Sequence, residues 1–257
     1  MSEDRTPTAP EFDEWYAAME HAPVKDEVQQ RHLGLPPRLL STSLLTWDGL
    51  LELVAALRLA SGDTLVDLAC GRGGYGLEVA DRTGAALVGV DYSQVAVRQA
   101  QEHAARLGRT AEFRVGDLTG TGLPDGVARG AMCVDAIQFA VPPEAAYAEL
   151  RRILAPGGRV ALTCWEAVER GDESLPARVR QVDLLRGLTA AGFVDVEVAD
   201  RPEWRRAERA LWEEAAALDG QQLAGDPALQ SFHDEGVQVL PTFDRSRRVL
   251  ATATAPL

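Results

Sequence analysis

A glycine-rich turn is the segment of this 257-residue sequence whose residue types and spacing point most directly to chemistry. Gly71, Gly73 and Gly76 match the pattern GxGxxG between the predicted strand Thr64–Leu68 and a predicted helix. Glycine at such a turn lets the chain reverse tightly and lets a ligand approach the backbone. Because a bare match of this kind is common, the carboxylates around the turn must decide which ligand it would bind.

Three aspartates lie in or at the ends of consecutive predicted strands beside this turn. Asp91 follows the second strand, twenty positions after Gly71, where a carboxylate can accept hydrogen bonds from both hydroxyls of a ribose. Asp117 ends the third strand, where it can accept a hydrogen bond from the exocyclic amine of adenine. Asp67, inside the first strand, would repel a pyrophosphate but suits a cation. The three acids therefore predict a phosphate-free nucleoside with a positively charged end, such as S-adenosylmethionine.

The elements that must position these residues alternate between strands and helices from residue 64 onward. We predict strands over Thr64–Leu68, Ala86–Val90, Ala111–Val115, Gly130–Ile137, Arg159–Trp165, Phe193–Val198 and Arg247–Thr254. Predicted helices include Ser93–Leu107, Glu144–Leu154 and Val179–Ala191, with Ser93 placed to cap the first of these. This alternation predicts a Rossmann-like α/β fold, in which a mainly parallel sheet has helices on both faces. The last strand could join the edge of that sheet.

Composition and charge limit the kinds of partner. The chain is 46% hydrophobic and 25% charged, which is typical of a globular protein, and its net charge of −13 repels phosphate backbones and anionic lipids. We therefore expect neither nucleic acid nor a membrane as principal partner. Cys70, Cys133 and Cys164 form no CxxC pair, and the four histidines lack the spacing of metal ligands. With a polar N-terminus and no long apolar run, we expect a cytoplasmic protein without a metal.

Taken together, these motifs resemble those of the class I S-adenosylmethionine-dependent methyltransferases. The resemblance covers about Thr64–Val198. It is carried by the motif Val66–Gly73, the acidic Asp91, the turn Gly116-Asp117-Leu118, the stretch Cys133–Phe139 and the turn Leu154–Arg159. It implies a seven-stranded sheet with a reversed final hairpin and S-adenosylmethionine as the cofactor.

The resemblance also implies places for the parts of the cofactor. Tyr92 would lie beside the adenine, Leu118 would offer a backbone contact to the adenine edge, and Val134 or Asp135 would lie near the methionine end. Ala69 stands where the family usually has glycine. With the residues discussed above, the predicted cofactor-binding set is Asp67, Ala69, Gly71, Gly73, Asp91, Tyr92, Asp117, Leu118 and Val134.

Helical segments outside this core are predicted to form a lid for a small, partly apolar acceptor of the kind found in specialised metabolism. We divide the chain into an N-terminal helical lid (1–60), a cofactor-binding core (61–200), a helical insertion (201–242) and a final core strand (243–257). An aromatic-rich lid suits such an acceptor. The predicted acceptor-binding residues are Trp15, Tyr16, Trp47 and Gln138.

A general base is needed only if the nucleophile of the acceptor keeps its proton. The candidates are His21, Asp135 and Glu166, with Tyr16 as a further one. The sequence leaves open which molecule is methylated, and whether on O, N or C.

Two other functions remain open at the level of sequence. An NAD-dependent oxidoreductase would share the glycine turn and Asp91, although Asp67 argues against it. A cyclase or an activating subunit could retain the cofactor on the same fold without transferring a methyl group.

Overall fold

The computed structural model describes residues 6–20 and 22–257 and contains one seven-stranded sheet. Its strands are β1 (Thr64–Leu68), β2 (Ala86–Asp91), β3 (Glu112–Val115), β4 (Ala128–Val134), β5 (Leu154–Ala167), β6 (Val194–Asp200) and β7 (Ser246–Thr254). The order across the sheet is β3-β2-β1-β4-β5-β7-β6. Strands β1 to β5 run parallel to one another, and β7 runs antiparallel to both β5 and β6. The predicted Rossmann-like fold with a reversed final hairpin is confirmed.

Eleven α-helices accompany the sheet in the described part of the chain. They are α1 (Ala9–Met19), α2 (Pro23–Leu33), α3 (Trp47–Leu57), α4 (Gly74–Thr83), α5 (Gln94–Arg106), α6 (Pro143–Ile153), α7 (Ala177–Arg180), α8 (Leu184–Ala190), α9 (Pro202–Ala216), α10 (Gly220–Leu223) and α11 (Pro227–Val239). Ser93 caps α5 as predicted, because its side chain accepts a hydrogen bond from the backbone of Ala96 at 3.1 Å. None of these helices is both long and apolar enough to cross a bilayer.

The central strands are apolar on both sides because each side faces a core. Leu65 of β1 belongs to one apolar cluster, with helices α3, α4 and α5, whereas its neighbour Val66 belongs to the other, with α6 and α8. Successive residues of a strand point to opposite faces, so this division follows from the pleat. The carboxyl ends of β1 to β4, where the predicted site residues lie, are thereby held in one layer.

Three sequence-based expectations about elements are wrong. Strand β7 lies between β5 and β6, so the late strand does not occupy the sheet edge. Strand β4 ends at Val134 rather than at Ile137, because Asp135 turns the chain with a φ of +58°. The helix predicted over Val179–Ala191 is divided into α7 and α8, since the Asp183 side chain caps a new helix by accepting from the backbone of Arg186.

Four helices lie against one another beyond the sheet. Helix α9 packs against both α2 and α11, and α1 packs on α5. Trp204 of α9 is fully buried and donates a hydrogen bond to Glu52 of α3 at 3.2 Å, so it belongs to the core rather than to an open aromatic surface. The segments predicted to form a lid thus meet each other as well as the sheet.

Candidate functional site

A large cavity of about 1380 Å³ lies between the carboxyl ends of β1, β2 and β4 and the helices α1, α2, α9 and α11. Of the predicted cofactor-binding residues, six line this cavity: Ala69, Asp91, Tyr92, Asp117, Leu118 and Val134. Three of the predicted acceptor-binding residues also line it, namely Trp15, Tyr16 and Gln138. The fold therefore brings most of the two predicted sets to the same space.

Asp91 is the best-defined acidic group of the cavity. Its Oδ2 accepts a hydrogen bond from the backbone N–H of Gly71 at 2.8 Å, and its Oδ1 accepts one from Ser93 at 2.9 Å. Burial raises the pKa of Asp91 to about 6. Since each carboxylate oxygen has two lone pairs, one remains on each oxygen for a further donor. Two neighbouring hydroxyls of a ribose supply such a pair of donors.

The residues that follow β3 form the part of the cavity in which an adenine ring could bind. Asp117 accepts hydrogen bonds on Oδ1 from the backbone and the hydroxyl of Thr119, at 2.7 and 2.5 Å, which leaves Oδ2 for another donor. Leu118 lies beside it, and Tyr92 presents a ring that is 41% exposed. This half of the cavity can bind a flat ring that carries an amine.

The glycine turn acts by shaping the backbone rather than by lining the cavity. Gly71 and Gly73 both have positive φ angles, +52° and +77°, and Gly73 is the N-cap residue of α4. Gly71 lies outside the cavity lining but holds Asp91 through its N–H. Ala69 does line the cavity, and it keeps a left-handed φ of +55° that disfavours any residue except glycine.

The expectation that Asp67 faces the ligand is wrong. Asp67 is buried outside the cavity lining, and its carboxylate accepts a hydrogen bond from the backbone of Gly76, while burial raises its pKa well above the usual range. A Cβ at Gly76 would lie 2.6 Å from Asp67 Oδ2, so only glycine fits there. The third glycine of the motif therefore serves this internal contact. Asp91 and Asp117 remain as the acids of the cofactor half.

Asp135 lines the cavity but cannot act as a free base. Its oxygens accept hydrogen bonds from Arg248 at 2.7 and 3.1 Å, from the hydroxyl of Thr163 at 2.7 Å and from the backbone of Leu44 at 2.9 Å. Arg248 is fully buried, and its charge balances that of the carboxylate. All four lone pairs of Asp135 are thus occupied, and the residue fixes the end of β4.

The other predicted bases are Glu166, Tyr16 and His21, and the structure supports neither of the two that it describes. Glu166 does not line the cavity, because its carboxylate accepts hydrogen bonds from the backbone of Leu184 at 2.9 Å and from Arg247 at 2.8 Å. Burial raises the pKa of Tyr16 well above 10, so its hydroxyl keeps its proton near neutral pH. His21 lies outside the described residues.

Trp47 is not at the cavity, contrary to the prediction that it binds the acceptor. Its ring stacks under the guanidinium of Arg82 at 4.8 Å on the side of α4. Besides Tyr92, the aromatic rings that do line the cavity come from other elements, and they are Phe12, Trp15, Tyr16, Phe139, Trp165, Trp212, Phe232 and Phe243. This part of the cavity suits an apolar molecule.

Sequence reasoning missed two charged groups on the lid helices. Glu208 of α9 is buried at the cavity and accepts hydrogen bonds from the indole of Trp165 at 2.9 Å and from Arg205 at 2.8 Å. Lys25 of α2 is also buried there. A charged residue on an otherwise ordinary helix gives no signal in the sequence that it faces a cavity. The one signal available for Lys25 is that it is the single lysine among 26 basic residues.

The sequence of residues 65–158 matches the family described as "Methyltransferase domain". This segment contains the glycine turn, Asp91, Asp117 and the end of β4, which are the parts that form the cofactor half of the cavity. Residues 65–158 form a class I S-adenosylmethionine-dependent methyltransferase domain. The resemblance seen in the motifs is thereby confirmed.

Individual proteins resemble this methyltransferase domain and its surroundings to different extents. The sterol 24-C-methyltransferase of Eremothecium gossypii is 30% identical over 124 residues, which are 48% of this chain and 33% of that protein. The chain spans about a third of the length of the curated relatives it matches. In structure, it resembles the phosphoethanolamine N-methyltransferase 2 of Haemonchus contortus (TM-score 0.76, 17% identity, covering 96% of this chain and 60% of that one). It also resembles the [4+2]-cyclase SpnF (TM-score 0.74, 23% identity, 98% and 97% covered).

The residues of the methyltransferase domain fit the cofactor of its family. Asp91 keeps a free lone pair on each oxygen, which would suit two ribose hydroxyls, and Asp117 keeps one oxygen that could accept from an adenine amine. The left-handed turn at Ala69 brings a short side chain, rather than a long one, to the wall of the cavity. Among the described residues, no lysine or arginine lines this half of the cavity.

Proposed function

We propose that this protein is an S-adenosylmethionine-dependent methyltransferase that acts on a small, mainly apolar acceptor. One observation carries this proposal: Asp91 and Asp117, the acids we assign to the ribose and the adenine, line the same cavity as an aromatic-lined space. A pocket for one small ligand encloses about 300–1,000 Å³. A cavity of about 1380 Å³ has room for two molecules side by side. The sterol in the name of a relative is an acceptor of this apolar kind.

The residues of the chain would act mainly by binding and orientation. Bound S-adenosylmethionine supplies a methyl group on a sulfonium whose leaving group is already activated. Asp91 would hold the ribose, and Asp117 would hold the adenine amine. Asp135, fixed by Arg248, would keep the end of β4 and Val134 in place at the methionine end. The lid helices would exclude water and align the acceptor, which supplies much of the rate of a displacement reaction.

The test combines binding with detection of product. Calorimetry with S-adenosylhomocysteine and with NAD should give micromolar binding of the first and none of the second. Incubation of the protein with a cell extract and labelled S-adenosylmethionine should then give products heavier by about 14 Da. Asp91→Asn should weaken binding of S-adenosylhomocysteine roughly 30- to 150-fold and lower the yield of product, whereas Asp195→Asn, at an exposed position away from the cavity, should leave both unchanged. Cofactor binding without a methylated product would instead favour a non-methylating protein, and binding of NAD alone would refute the proposal.

A further inference from the structure

Lys25 occupies an unusual place for a lysine. It is the one lysine in a chain with 25 arginines, and its side chain is only 5% exposed, in the wall of the cavity on α2. Its Nζ donates one hydrogen bond, to Gln29 Oε1 at 3.1 Å, and lies 5.8 Å from the ring centre of Phe232. An ammonium has three donors, so two of them have no acceptor among the described residues.

The position of Lys25 is fixed relative to the methyl-transfer end of the cavity. Gln29 Nε2 donates to the carbonyl of Ser43 at 3.0 Å, and since a carbonyl only accepts, the amide oxygen of Gln29 must face Lys25. The hydroxyl of Ser43 donates in turn to the carbonyl of Val134 at 3.3 Å. Three hydrogen bonds thus connect the ammonium to the end of β4, where the methionine end of the cofactor would lie.

Two carboxylates, those of Asp26 and Glu235, attract the charge of Lys25 without forming an ion pair with it. Asp26 forms an ion pair with Arg72 of the glycine turn at 3.2 Å. Glu235 faces the cavity, where enclosure raises the pKa of its carboxyl, and the charges of Lys25 and then of Arg178 oppose that rise. No described carboxylate forms an ion pair with Lys25. A buried, unpaired cation is unfavourable unless an anion joins it, and burial accordingly lowers the pKa of Lys25 to about 8.

We propose that Lys25 is the acceptor-binding cation of this cavity, and that the acceptor carries an oxyanion, such as a carboxylate, phenolate or enolate, on an otherwise apolar frame. This inference rests on the proposed function only in naming the ligand an acceptor. The oxyanion would take the two unused donors of Lys25 while the rest of the molecule lies against the aromatic rings. Lys25 would thereby select acidic acceptors and orient them toward the end of β4.

The first experiment compares two probes that differ in charge. Decanoate and decan-1-ol are titrated calorimetrically at pH 7 into the full chain, with and without S-adenosylhomocysteine. We expect at least tenfold tighter binding of decanoate to the wild type. Lys25→Met keeps the length of the side chain but removes its charge, so it should bind both probes equally, with its affinity for decan-1-ol unchanged. Lys25→Arg keeps the charge and should retain a preference for decanoate.

The second experiment needs no variant and uses the single lysine of the chain. Trace acetylation by acetic anhydride across a pH series, read by mass spectrometry of the peptide that contains Lys25, gives the titration midpoint of its amine. If decanoate binds the protonated amine tenfold more tightly than the neutral one, saturation with decanoate must raise that midpoint by about one pH unit. Decan-1-ol should leave the midpoint unchanged.

Several results would overturn the inference: no binding of decanoate, equal binding of both probes by the wild type, a preference that persists in Lys25→Met, or a midpoint that decanoate does not move. These readouts do not depend on methyl transfer. A protein that prefers decanoate but binds no S-adenosylhomocysteine would therefore disprove the proposed function and leave the role of Lys25 intact.

Discussion

The substitution Asp91→Asn gives the most direct test of the cofactor half of the cavity. In the wild type, each oxygen of Asp91 accepts one backbone hydrogen bond, from Gly71 or from Ser93, and has one lone pair left. An asparagine of the same shape keeps one oxygen and replaces the other by a donor. It therefore loses the charge at both ribose contacts and leaves one buried backbone N–H without an acceptor.

The size of the effect on binding follows from the strength of these hydrogen bonds. A hydrogen bond to a charged group contributes about 1.5–3 kcal/mol and a neutral one about 0.5–1.5 kcal/mol. Losing the charge at two contacts should therefore weaken binding by about 2–3 kcal/mol, or roughly 30- to 150-fold in the dissociation constant.

The effect of Asp91→Asn on stability should be much smaller, because two contributions oppose each other. Burial raises the pKa of Asp91 from 3.8 to about 6, so keeping it ionised at pH 7 costs about 3 kcal/mol, which the amide relieves. The unpaired N–H costs about 1–3 kcal/mol. The variant should therefore fold with nearly the free energy of unfolding of the wild type.

Calorimetry with S-adenosylhomocysteine and urea denaturation of the apoprotein measure the two effects separately. Asp195→Asn makes the same chemical change at an exposed residue and serves as the control. A folded Asp91→Asn protein that binds within threefold of the wild type would refute the assignment of Asp91 to the ribose. A large loss of stability with unchanged binding would show that Asp91 serves only the turn.

Three further predictions concern pH, the buried ion pair and the turn. Asp91 is ionised above its pKa of about 6, so calorimetric affinity for S-adenosylhomocysteine should fall by up to about tenfold per pH unit below 6, and Asp91→Asn should flatten this profile. Arg248→Met leaves the carboxylate of Asp135 buried without its cation and should lower the free energy of unfolding in urea by about 3–5 kcal/mol, with part of the loss recovered by adding Asp135→Asn. Ala69→Gly removes left-handed strain and should raise that free energy by about 0.5–1 kcal/mol; a decrease would contradict the strain.

The sequence predicts the positions of strand ends well and the directions of side chains poorly. Asp91 and Asp117 line the cavity as predicted, because parallel strands end at one edge of the sheet and a residue after the apolar run must lie there. Asp67 follows the same logic but fails, since its carboxylate turns to the backbone of Gly76 inside the core. Nothing in the spacing distinguishes an acid that faces a ligand from one that supports the turn.

The candidate bases show even more clearly that the sequence does not predict what a side chain contacts. Asp135 and Glu166 are acids beside the predicted site, yet the arginines that neutralise them, Arg248 and Arg247, lie more than 80 positions later on β7. Strand β7 reaches them only because it lies between β5 and β6, and the pattern of apolar residues does not predict that place. Whether a carboxylate is free or already paired depends on such distant contacts.

The loss of these candidates changes where acid–base chemistry could occur in the cavity. A carboxylate with four hydrogen bonds cannot take a proton without breaking one, whereas Lys25 has unused donors, and its pKa of about 8 lies near neutral pH. Lys25 lies on α2, and hydrogen bonds through Gln29 and Ser43 connect it to the end of β4, so an acceptor that binds it would be held beside the proposed methionine end of the cofactor. An in-line transfer requires the acceptor and the sulfonium to be held in a fixed alignment, and a cation on α2 could supply that alignment while the edge of the sheet binds the cofactor.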